Sequence, residues 1–377
     1  MLGIRPRRKR AMYAVAQIES GGADVSIFDS ENGLVAHASS QLPVEKRAEA
    51  LHITGILRAL EEAVQKAQKE ALSKGAGRIE TVYMIVHTPW SRSETLTATV
   101  TYQKEAKITA AAIAELAESA LSHIKDLDPA RIIESAIVRV SLNGYPTSQP
   151  EGKKAKSLEV SVLASDCDKR VGRGAAETIA RHFPDTPMIW RSSARAFFTL
   201  QTDTSDLPGN YVAVVFGSVA SEAFVVEEGL LAARVPVEIG FNELISRLST
   251  SIPEASHALL DLAAQGLSTS ETTGQLHGNF ARAESELARS FAVAFEILLK
   301  RRHLPGELVL IAPRSLVPLL SHLFSRYDFQ RFTHASQPFS IRHFARFKGS
   351  RATLYADDPS LAAAIALINT EHPGTVR

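Results

Sequence analysis

The sequence predicts a two-lobe α/β protein, and three observations support this fold class. Strand-like and helix-like apolar patterns alternate along most of the 377 residues. The stretch "YAVAQIESGGADVSIFDSENGLV" (13–35) has the pattern of a β-hairpin with a small-residue turn, and "YVAVVFGSVASEAFVVEEGLL" (211–231) repeats that pattern. A further strand–strand–helix–strand–loop–strand series lies between the two copies. We therefore expect two related lobes, each opening with a hairpin, and a unit inserted into the first lobe.

The two hairpins align without a gap over most of their length. The matched pairs are Tyr13 with Tyr211, Ser20 with Ser218, Asp24 with Glu222, and Phe28 with Val226. Dropping two residues then aligns Gly33 with Gly229. The sequence thus predicts one hairpin used twice, with glycines at different places in the two turns.

The remaining elements of the first lobe follow from apolar spacing. "EKRAEALHITGILRALEEAVQKAQKEALSKGAG" has apolar residues at helical spacing and ends at Gly75 and Gly77, which predicts a long helix. "RIETVYMIVHTP" is apolar and β-branched, as a buried strand is. Beyond the insert, "GRGAAETIARHF" predicts a helix, and "TPMIWRSSARAFFTL" predicts a strand followed by a helix.

The insert and the second lobe are predicted in the same way. "ETLTATVTYQ" alternates like a half-exposed strand, Thr109 begins a helix, and two strands flank a loop rich in Gly, Pro and Lys. In the second lobe, 241–266 and "ARAESELARSFAVAFEILLKRRHL" predict helices. "GELVLIAPRSLVPLLSHLF" predicts a strand running into a helix, and "PSLAAAIALI" predicts a last apolar helix.

These elements define the expected domains. They are a basic tail (1–10), a first lobe (11–79 and 166–207), an inserted subdomain (80–165), a second lobe (208–368) with a small helical subdomain (241–300), and a loose C-terminal tail (369–377).

The bulk composition excludes several classes of protein. With 42 basic and 41 acidic residues the net charge is +1, which favours no nucleic-acid partner. A single cysteine excludes an intramolecular disulfide and suits the cytoplasm. The start is not a signal peptide, and no apolar run is long enough to span a bilayer. The basic cluster Arg5, Arg7, Arg8, Lys9 and Arg10 is either a solvated tail or a peripheral contact with anionic lipid at the cytoplasmic face.

The duplicated hairpin resembles that of the actin-like superfamily, whose ribonuclease H-like lobes clamp the phosphates of ATP between two hairpin turns. Within it the sequence is most similar to FtsA. "VYMIVHTPWSRSETLTATVTYQKEAKITAAAIAELAESAL" and "VSLNGYPTSQPEGKKAKSLEVSVLAS" resemble the inserted α+β, FtsA-type (SHS2-like) subdomain. "GLLAARVPVEIGFNELISRLSTSIPEASHALLDLAAQG" resembles the run after the second hairpin, and "LVLIAPRSLVPLL" stands where the adenosine motif is expected.

The resemblance implies a cell-division scaffold that binds FtsZ or another division protein and self-associates through the insert. In the family, FtsZ binds the small helical subdomain, here 241–300. The family's C-terminal membrane helix has no counterpart in "NTEHPGTVR". The alternatives are a scaffold of the type IV pilus related to PilM, which would capture a peptide of a pilus protein, and an active ATPase.

The nucleotide-binding positions depart from the family pattern. Gln17 and Glu19 replace the aspartate and glycine of the first turn, and Val215 replaces the first aspartate of the second turn. The triple glycine is reduced to Gly217, followed by Ser218 and Val219, and the last aspartate is Glu222. Ala312-Pro313-Arg314 replaces the glycines of the adenosine motif. Together these changes predict a pseudo-ATPase with weak or absent ATP binding, because flexible turns, N–H donors and metal-holding acids are missing.

A residual phosphate site is the alternative for the same positions. Ser20, Gly21, Gly22 and Asp24 in the first turn, with Gly217, Ser218 and Glu222 in the second, are the candidate residues for ATP with Mg²⁺. Gly21-Gly22 is equally typical of an ordinary hairpin turn.

Other motifs carry little chemistry. "VGRGAAE" lacks the third glycine of a dinucleotide fingerprint and is expected to be a helix start. The histidines show no zinc-binding spacing, and no nucleophile elbow occurs. Cys167 lies beside Asp166 and Asp168, which would raise the pKa of its thiol. "RFTHASQPFSIRHFARFKGSR" is expected to be an edge strand and loop rather than an RNA-binding patch, and Trp90 is either core or a polymer contact.

Overall fold

The computed structural model describes residues 11–31, 33–42, 49–202, 207–242, 244, 275–299, 303–333, 336–344, 358–373 and 375. The basic cluster at 5–10 and most of the helix predicted at 241–266 lie outside the described residues. Within these ranges no helix is both long and apolar enough to cross a lipid bilayer.

The first lobe is built on a five-stranded sheet in the order β3-β2-β1-β4-β9. Its strands are β1 (Met12–Ile18), β2 (Gly22–Asp29), β3 (Gly33–Gln41), β4 (Ile79–Val86) and β9 (Met188–Ser192). Its helices are α1 (Glu49–Ser73), α3 (Lys169–His182) and α4 (Ser193–Thr202). As predicted, β4 is almost wholly buried, because it lies between two parallel neighbours in the centre of the sheet.

The second lobe repeats this sheet, in the order β12-β11-β10-β13-β14. Its strands are β10 (Tyr211–Val215), β11 (Ser221–Glu227), β12 (Leu230–Val237), β13 (Glu307–Ile311) and β14 (Ser340–His343). Its described helices are α5 (Gln275–Leu299), α6 (Val317–Arg326) and α7 (Pro359–Glu371). In both sheets three antiparallel strands are followed by two parallel ones, which confirms the duplication.

The register of the two hairpins is the same, with one correction to the predicted alignment. Asp24 lies opposite Gln17 in the first hairpin, and Glu222 lies opposite Val215 in the second, as aligned. Both second strands have an irregularity at the matched point, between Ile27 and Phe28 and between Val225 and Val226. The third strands, however, match after the loss of one residue rather than two. Asp29 pairs with Gly33, whereas the equivalent Glu227 pairs with Leu230.

The insert is a separate four-stranded sheet in the order β5-β8-β6-β7. It consists of β5 (Ser91–Lys107), α2 (Ala110–Leu121), β6 (Ile132–Leu142), β7 (Tyr145–Pro146) and β8 (Lys154–Cys167). Thr109 caps α2 as predicted, since its side chain accepts a hydrogen bond from the Ala112 N–H. The predicted boundary at residue 80 is one strand too early, because β4 pairs with β1 in the first lobe.

A shared apolar core joins the two lobes. Side chains of β1, β2 and β4 meet those of β10, β11 and β13 around α4 and α7. Each lobe has its own outer core, and the insert packs α2 on its sheet in another. The insert is tied to the first lobe by Glu134, which accepts hydrogen bonds of 3.1 Å from the backbone and the hydroxyl of Ser192.

Two smaller predictions are decided by burial. Trp90 is 6% exposed, stacks on His52 and donates a hydrogen bond to the Glu19 carbonyl, so it belongs to the core. Residues 340–343 of the Arg- and Phe-rich segment form an outer strand of the second sheet, as expected.

Candidate functional site

The two hairpin turns touch each other at the same edge of the two sheets. The Val219 N–H donates a hydrogen bond of 3.1 Å to the Ser20 hydroxyl. A Cβ atom placed on Gly21 would lie 2.4 Å from the Cβ of Ser218. The contact is nearly symmetric, because Ser20-Gly21 and Ser218-Val219 are equivalent pairs in the duplication. It explains the glycine at 21, which close approach requires although its φ is not positive.

The turn backbones are also fixed by their own lobes. The Gly21 carbonyl accepts from Leu42 at 2.8 Å, and that of Ser20 bonds to His52 at 2.7 Å. In the second turn, the Gly217 and Ser218 carbonyls accept from the Phe241 and Asn242 N–H groups. Both turns are thus held against each other, and they leave no gap for a phosphate group between Ser20 and Val219.

A cavity of about 490 Å³ lies beside this contact, between the lobes. Of the candidate residues, Ser20, Asp24, Gly217, Ser218 and Glu222 line it. Gly21 faces the second turn, and Gly22 packs within 2.5 Å of the Ser40 carbonyl when a Cβ is added, so these two serve close packing. The structure therefore brings most of the predicted site together.

The charge of the cavity is opposite to that of a phosphate site. Its lining includes Glu19, Asp24, Glu222 and Asp358, and none of the described lining residues is a lysine or an arginine. Aromatic and aliphatic side chains from both lobes complete it, among them Phe197 and Phe224. A polyphosphate at this place would meet acidic side chains instead of the cations that would neutralise its charge.

Burial changes the ionisation of the first-turn acids. The pKa of Asp24 is raised to about 8, first by burial and then by the nearby Glu19 carboxylate. Burial likewise raises the pKa of Glu19, although the Ser360 hydroxyl, which donates to its carboxylate, opposes that shift. Burial therefore shifts both carboxyl groups towards their neutral forms, and Asp24 is largely protonated at pH 7.

Gln17, at the position of the family's first aspartate, is held by a hydrogen-bond network. Its amide nitrogen donates to the Ser360 carbonyl at 2.7 Å, and its amide oxygen lies 3.1 Å from His87 Nε2. Burial lowers the pKa of His87 to about 4, so at neutral pH the uncharged ring donates to Gln17. The side chain where an ATPase would carry its acid is thereby used to fix the start of α7.

Glu222 in the second hairpin forms an ion pair with Arg234 of β12. The same guanidinium donates to the Thr88 hydroxyl at 2.7 Å and to the Ser91 carbonyl at 2.8 Å. Burial lowers the pKa of Arg234 to about 10, which leaves it charged at neutral pH. The Glu222 carboxylate is therefore already paired with a cation from its own lobe.

The adenosine-motif position lies where the resemblance predicts. β13 ends at Ile311, and Pro313 borders the cavity just before a short 3₁₀ turn, Arg314–Leu316. The Ala312 carbonyl lies 3.1 Å from His343 Nε2. The strand–turn–helix geometry is retained, while proline stands where a backbone donor would be needed.

Several residues of this site were not predicted from the sequence. Arg234, His87 and Ser360 belong to no motif, and each has a partner that is distant in the chain. Asp358 caps α7 by accepting from the Leu361 N–H, and the Asp-Pro-Ser order there was a usable signal for a helix start. Its carboxylate also lies 3.2 Å from His37 Nε2.

Other candidate chemistry finds little support. In the described ranges no group of three or more His, Cys, Asp or Glu side chains is placed to hold a metal ion. Burial, followed by the charges of Asp168 and Asp166, raises the pKa of the Cys167 thiol to about 12. Asp168 caps α3, so the "VGRGAAE" stretch lies within a helix as expected.

Comparisons with known proteins identify the fold. No protein-family model matches the chain, and no curated protein matches it. A solved structure of the PilM-PilN type IV pilus biogenesis complex is similar at a TM-score of 0.57 and 13% identity, covering 96% of this chain and 98% of that one. The ethanolamine utilization protein EutJ from Carboxydothermus hydrogenoformans has a TM-score of 0.45 and 11% identity, covering 95% of this chain and 91% of that one. With its duplicated sheets and shared central core, the chain has the actin-like ATPase fold.

Proposed function

We propose that this protein is a nucleotide-independent scaffold that binds a partner protein, on an actin-like fold. The observation that carries the proposal is the direct contact between the two hairpin turns, where Ser20 accepts a hydrogen bond from Val219. A triphosphate needs those turns apart, with their N–H groups free to approach it.

The charges around the contact support the same conclusion. Asp24 is buried in the cleft and Glu19 is half-buried beside it, and the cation nearest Glu222 is the Arg234 guanidinium. A Mg²⁺ ion at Glu222 would have to displace that guanidinium, and the triphosphate would meet Glu19 and Asp24 instead of cations. The residues present therefore do not fit ATP with Mg²⁺.

For the partner, we favour a protein of the PilN kind. The PilM-PilN neighbour is a complex and matches this chain over nearly its whole length. The FtsA-like role in cell division, with FtsZ as partner and the insert as self-association surface, is the second candidate. It is favoured by the order of elements in the insert, in which α2 lies between β5 and β6 and a loop with the short strand β7 separates β6 from β8. Both proposed roles are compatible with attachment to an anionic membrane through the basic cluster at residues 5–10.

The nucleotide part is tested by thermal unfolding of the full chain with and without millimolar Mg·ATP. A ligand at 100 times its dissociation constant stabilises the folded state by about 2.7 kcal/mol. We expect no Mg²⁺-dependent rise in melting temperature. A reproducible rise that required both Mg²⁺ and ATP would overturn the proposal and restore the active ATPase.

The partner part is tested by binding. Peptides from the PilN-type protein of the same genome are titrated against the full chain, and co-sedimentation with FtsZ filaments is measured in parallel. We expect saturable peptide binding that is indifferent to ATP. Co-sedimentation without peptide binding would instead support the cell-division role, and failure of both would reject the scaffold as proposed.

A further inference from the structure

Arg234 is a buried cation at the junction of three parts of the molecule. Its side chain is 8% exposed and lies on β12 of the second lobe. It contacts Glu222 on the neighbouring strand β11, Thr88 in the segment that follows β4 of the first lobe, and the carbonyl of Ser91, the first residue of the insert.

We propose that the Arg234 guanidinium is an internal cation that neutralises Glu222 and holds the two lobes and the insert in a closed arrangement without a ligand. A buried carboxylate needs a cation or hydrogen bonds to remain charged. Here that cation is covalently part of the second lobe, and its Nη2 donates hydrogen bonds to Thr88 of the first lobe and to Ser91 of the insert. A metal ion at Glu222 would have to displace it.

The segment gripped by Arg234 leads directly to the turn contact. Between Thr88 and Ser91 lies Trp90, whose indole N–H donates at 2.9 Å to the carbonyl of Glu19 in the first turn. The Ser91 hydroxyl in turn donates to the Val86 carbonyl at the end of β4. Arg234 thus connects the second lobe, through one short rigid segment, to the turn that touches Val219.

A second contact holds the insert to the same lobe. Arg139 of β6 forms an ion pair of 3.1 Å with Glu228, in the turn between β11 and β12. Glu228 is exposed, whereas Glu222 is buried. Exposed ion pairs contribute little to stability, whereas buried ones are costly to break. Of these two ion pairs, we therefore expect Arg234–Glu222 to be the one that fixes the position of the insert against the second lobe.

This inference rests on the proposed function, because a nucleotide-independent scaffold requires a cleft that closes without nucleotide. The two proposals are tested by different experiments. A melting-temperature rise with Mg·ATP would reject the proposed function, whereas the experiment below measures closure in the absence of any nucleotide.

The test measures the distance between the lobes in solution. Spin labels are attached at Lys66→Cys on α1 and Arg289→Cys on α5, both exposed, while the one natural cysteine, Cys167, is buried. Distance distributions are recorded for this pair in the parent chain and in Arg234→Met. We expect a longer mean distance, a broader distribution, and a melting temperature lower by about 5–10 °C.

A double variant separates closure from folding stability. In Arg234→Met/Glu222→Gln the stranded carboxylate is removed, so most of the melting temperature should return. The bonds to Thr88 and Ser91 stay absent, so the distribution should remain broad. A parent-like distribution in this double variant would overturn the inference, because the cleft would then close without the guanidinium.

Two further variants complete the design. Thr88→Val removes one acceptor of Arg234 and leaves the ion pair with Glu222 intact. We therefore expect it to fold even if Arg234→Met does not. It should broaden the distribution of spin-label distances less than Arg234→Met does. An unchanged distance distribution in Thr88→Val, with Arg234→Met unfolded, would also count against the inference.

The control is Arg331→Met, which removes an exposed ion pair with Glu296 inside the second lobe. It should change neither the distance distribution nor the melting temperature.

Discussion

Asp24 shows how the fold alters the chemistry of one side chain. The sequence presents it as a metal-holding acid displaced along a turn. In the structure it is 3% exposed and close to Glu19, and its pKa is raised to about 8. At neutral pH it is largely a neutral carboxylic acid, which is the wrong form for holding a metal ion.

This shift makes stability depend on pH. Since the carboxyl keeps its proton when folded but loses it near pH 4 when unfolded, its contribution is complete at low pH and is lost as the pH rises towards 8. Asp24→Asn is neutral at every pH. We expect the variant to exceed the parent by about 5 kcal/mol in free energy of unfolding at pH 8, and by only about 1.5 kcal/mol at pH 5.

Urea unfolding at several pH values between 5 and 8.5 measures this difference. The control is Glu115→Gln, which removes one negative charge from an exposed position of α2. His87, whose lowered pKa weakens the fold only in acid, is common to both proteins. A difference between Asp24→Asn and the parent that did not grow with pH would show that Asp24 is ionised in the folded state.

Several single residues have roles that could not be predicted from the sequence. The glycines of the two turns suggested flexible phosphate loops, yet Gly21 is needed because Ser218 lies against it. Matching Gly33 with Gly229 misaligned the third strands by one residue, because Gly33 pairs with the end of β2 whereas Leu230, and not Gly229, pairs with the end of β11. The Arg234–Glu222 pair could not be predicted, because ion pairs across strands leave no local pattern in a sequence.

Among the elements, α7 is unusual in being buried on all sides. Its residues from Ala362 to Ile368 are at most 4% exposed, and it packs on α4 between the two lobes. The small alanine side chains let neighbouring elements approach closely. The sequence predicted this helix from its apolar run but could not tell that it is central.

Enlarging an alanine in α7 should therefore separate its neighbours. Ala364→Leu adds three carbon atoms where Ala364 is fully buried, and we expect a loss of about 1–3 kcal/mol in the free energy of unfolding. Ala114→Leu, at an exposed position of α2, is the matched control and should cost little. The urea midpoints of the two variants measure this loss. Equal midpoints would mean that the space around Ala364 accommodates a larger side chain.

The duplicated third strands use equivalent positions differently. His37 of β3 and Arg234 of β12 occupy matching places, opposite Ser26 and Phe224. His37 contacts Asp358 at the start of α7, whereas Arg234 contacts Glu222 and the segment after β4. The repeat thus places one basic side chain on each side of the cleft, and each one fixes a different neighbour.

At the scale of the whole molecule, the two lobes share one core while the insert has its own. Phe197 of α4 stacks on Phe224 of the second lobe at 5.4 Å between ring centroids, within a cluster that also contains Tyr13 and Val15. Leu158 of β8 belongs to the core of the insert. The lobes should therefore unfold together, and the insert should be able to open separately.

Hydrogen exchange distinguishes these units. We expect Phe197→Ala, at a cost of about 3–5 kcal/mol, to accelerate amide exchange in β1 and β10 alike. Leu158→Ala is the counterpart and should accelerate exchange mainly in β5, β6 and β8. Faster exchange confined to one lobe in Phe197→Ala would show that the lobes are independent.

The sequence was sufficient for the architecture but not for the contacts between its parts. Apolar spacing located most of the described strands and helices but not β3, β7 or β12, and the Thr109 cap and the repeat of the hairpin were correct. Placing β4 in the insert was wrong, because a buried strand carries no mark of which sheet it joins. The turns were predicted to face each other, but only the folded chain brings Ser20 against Val219.

The meeting of the two turns has a consequence for timing. A filament or motor protein that splits ATP uses the reaction as a clock, because each subunit ages after assembly and is released when the product state is reached. On the function proposed above, a subunit whose cleft binds no nucleotide would have no such clock. Its residence in any assembly would be set by partner concentration and affinity alone, and control would have to come from synthesis, degradation or modification of the components.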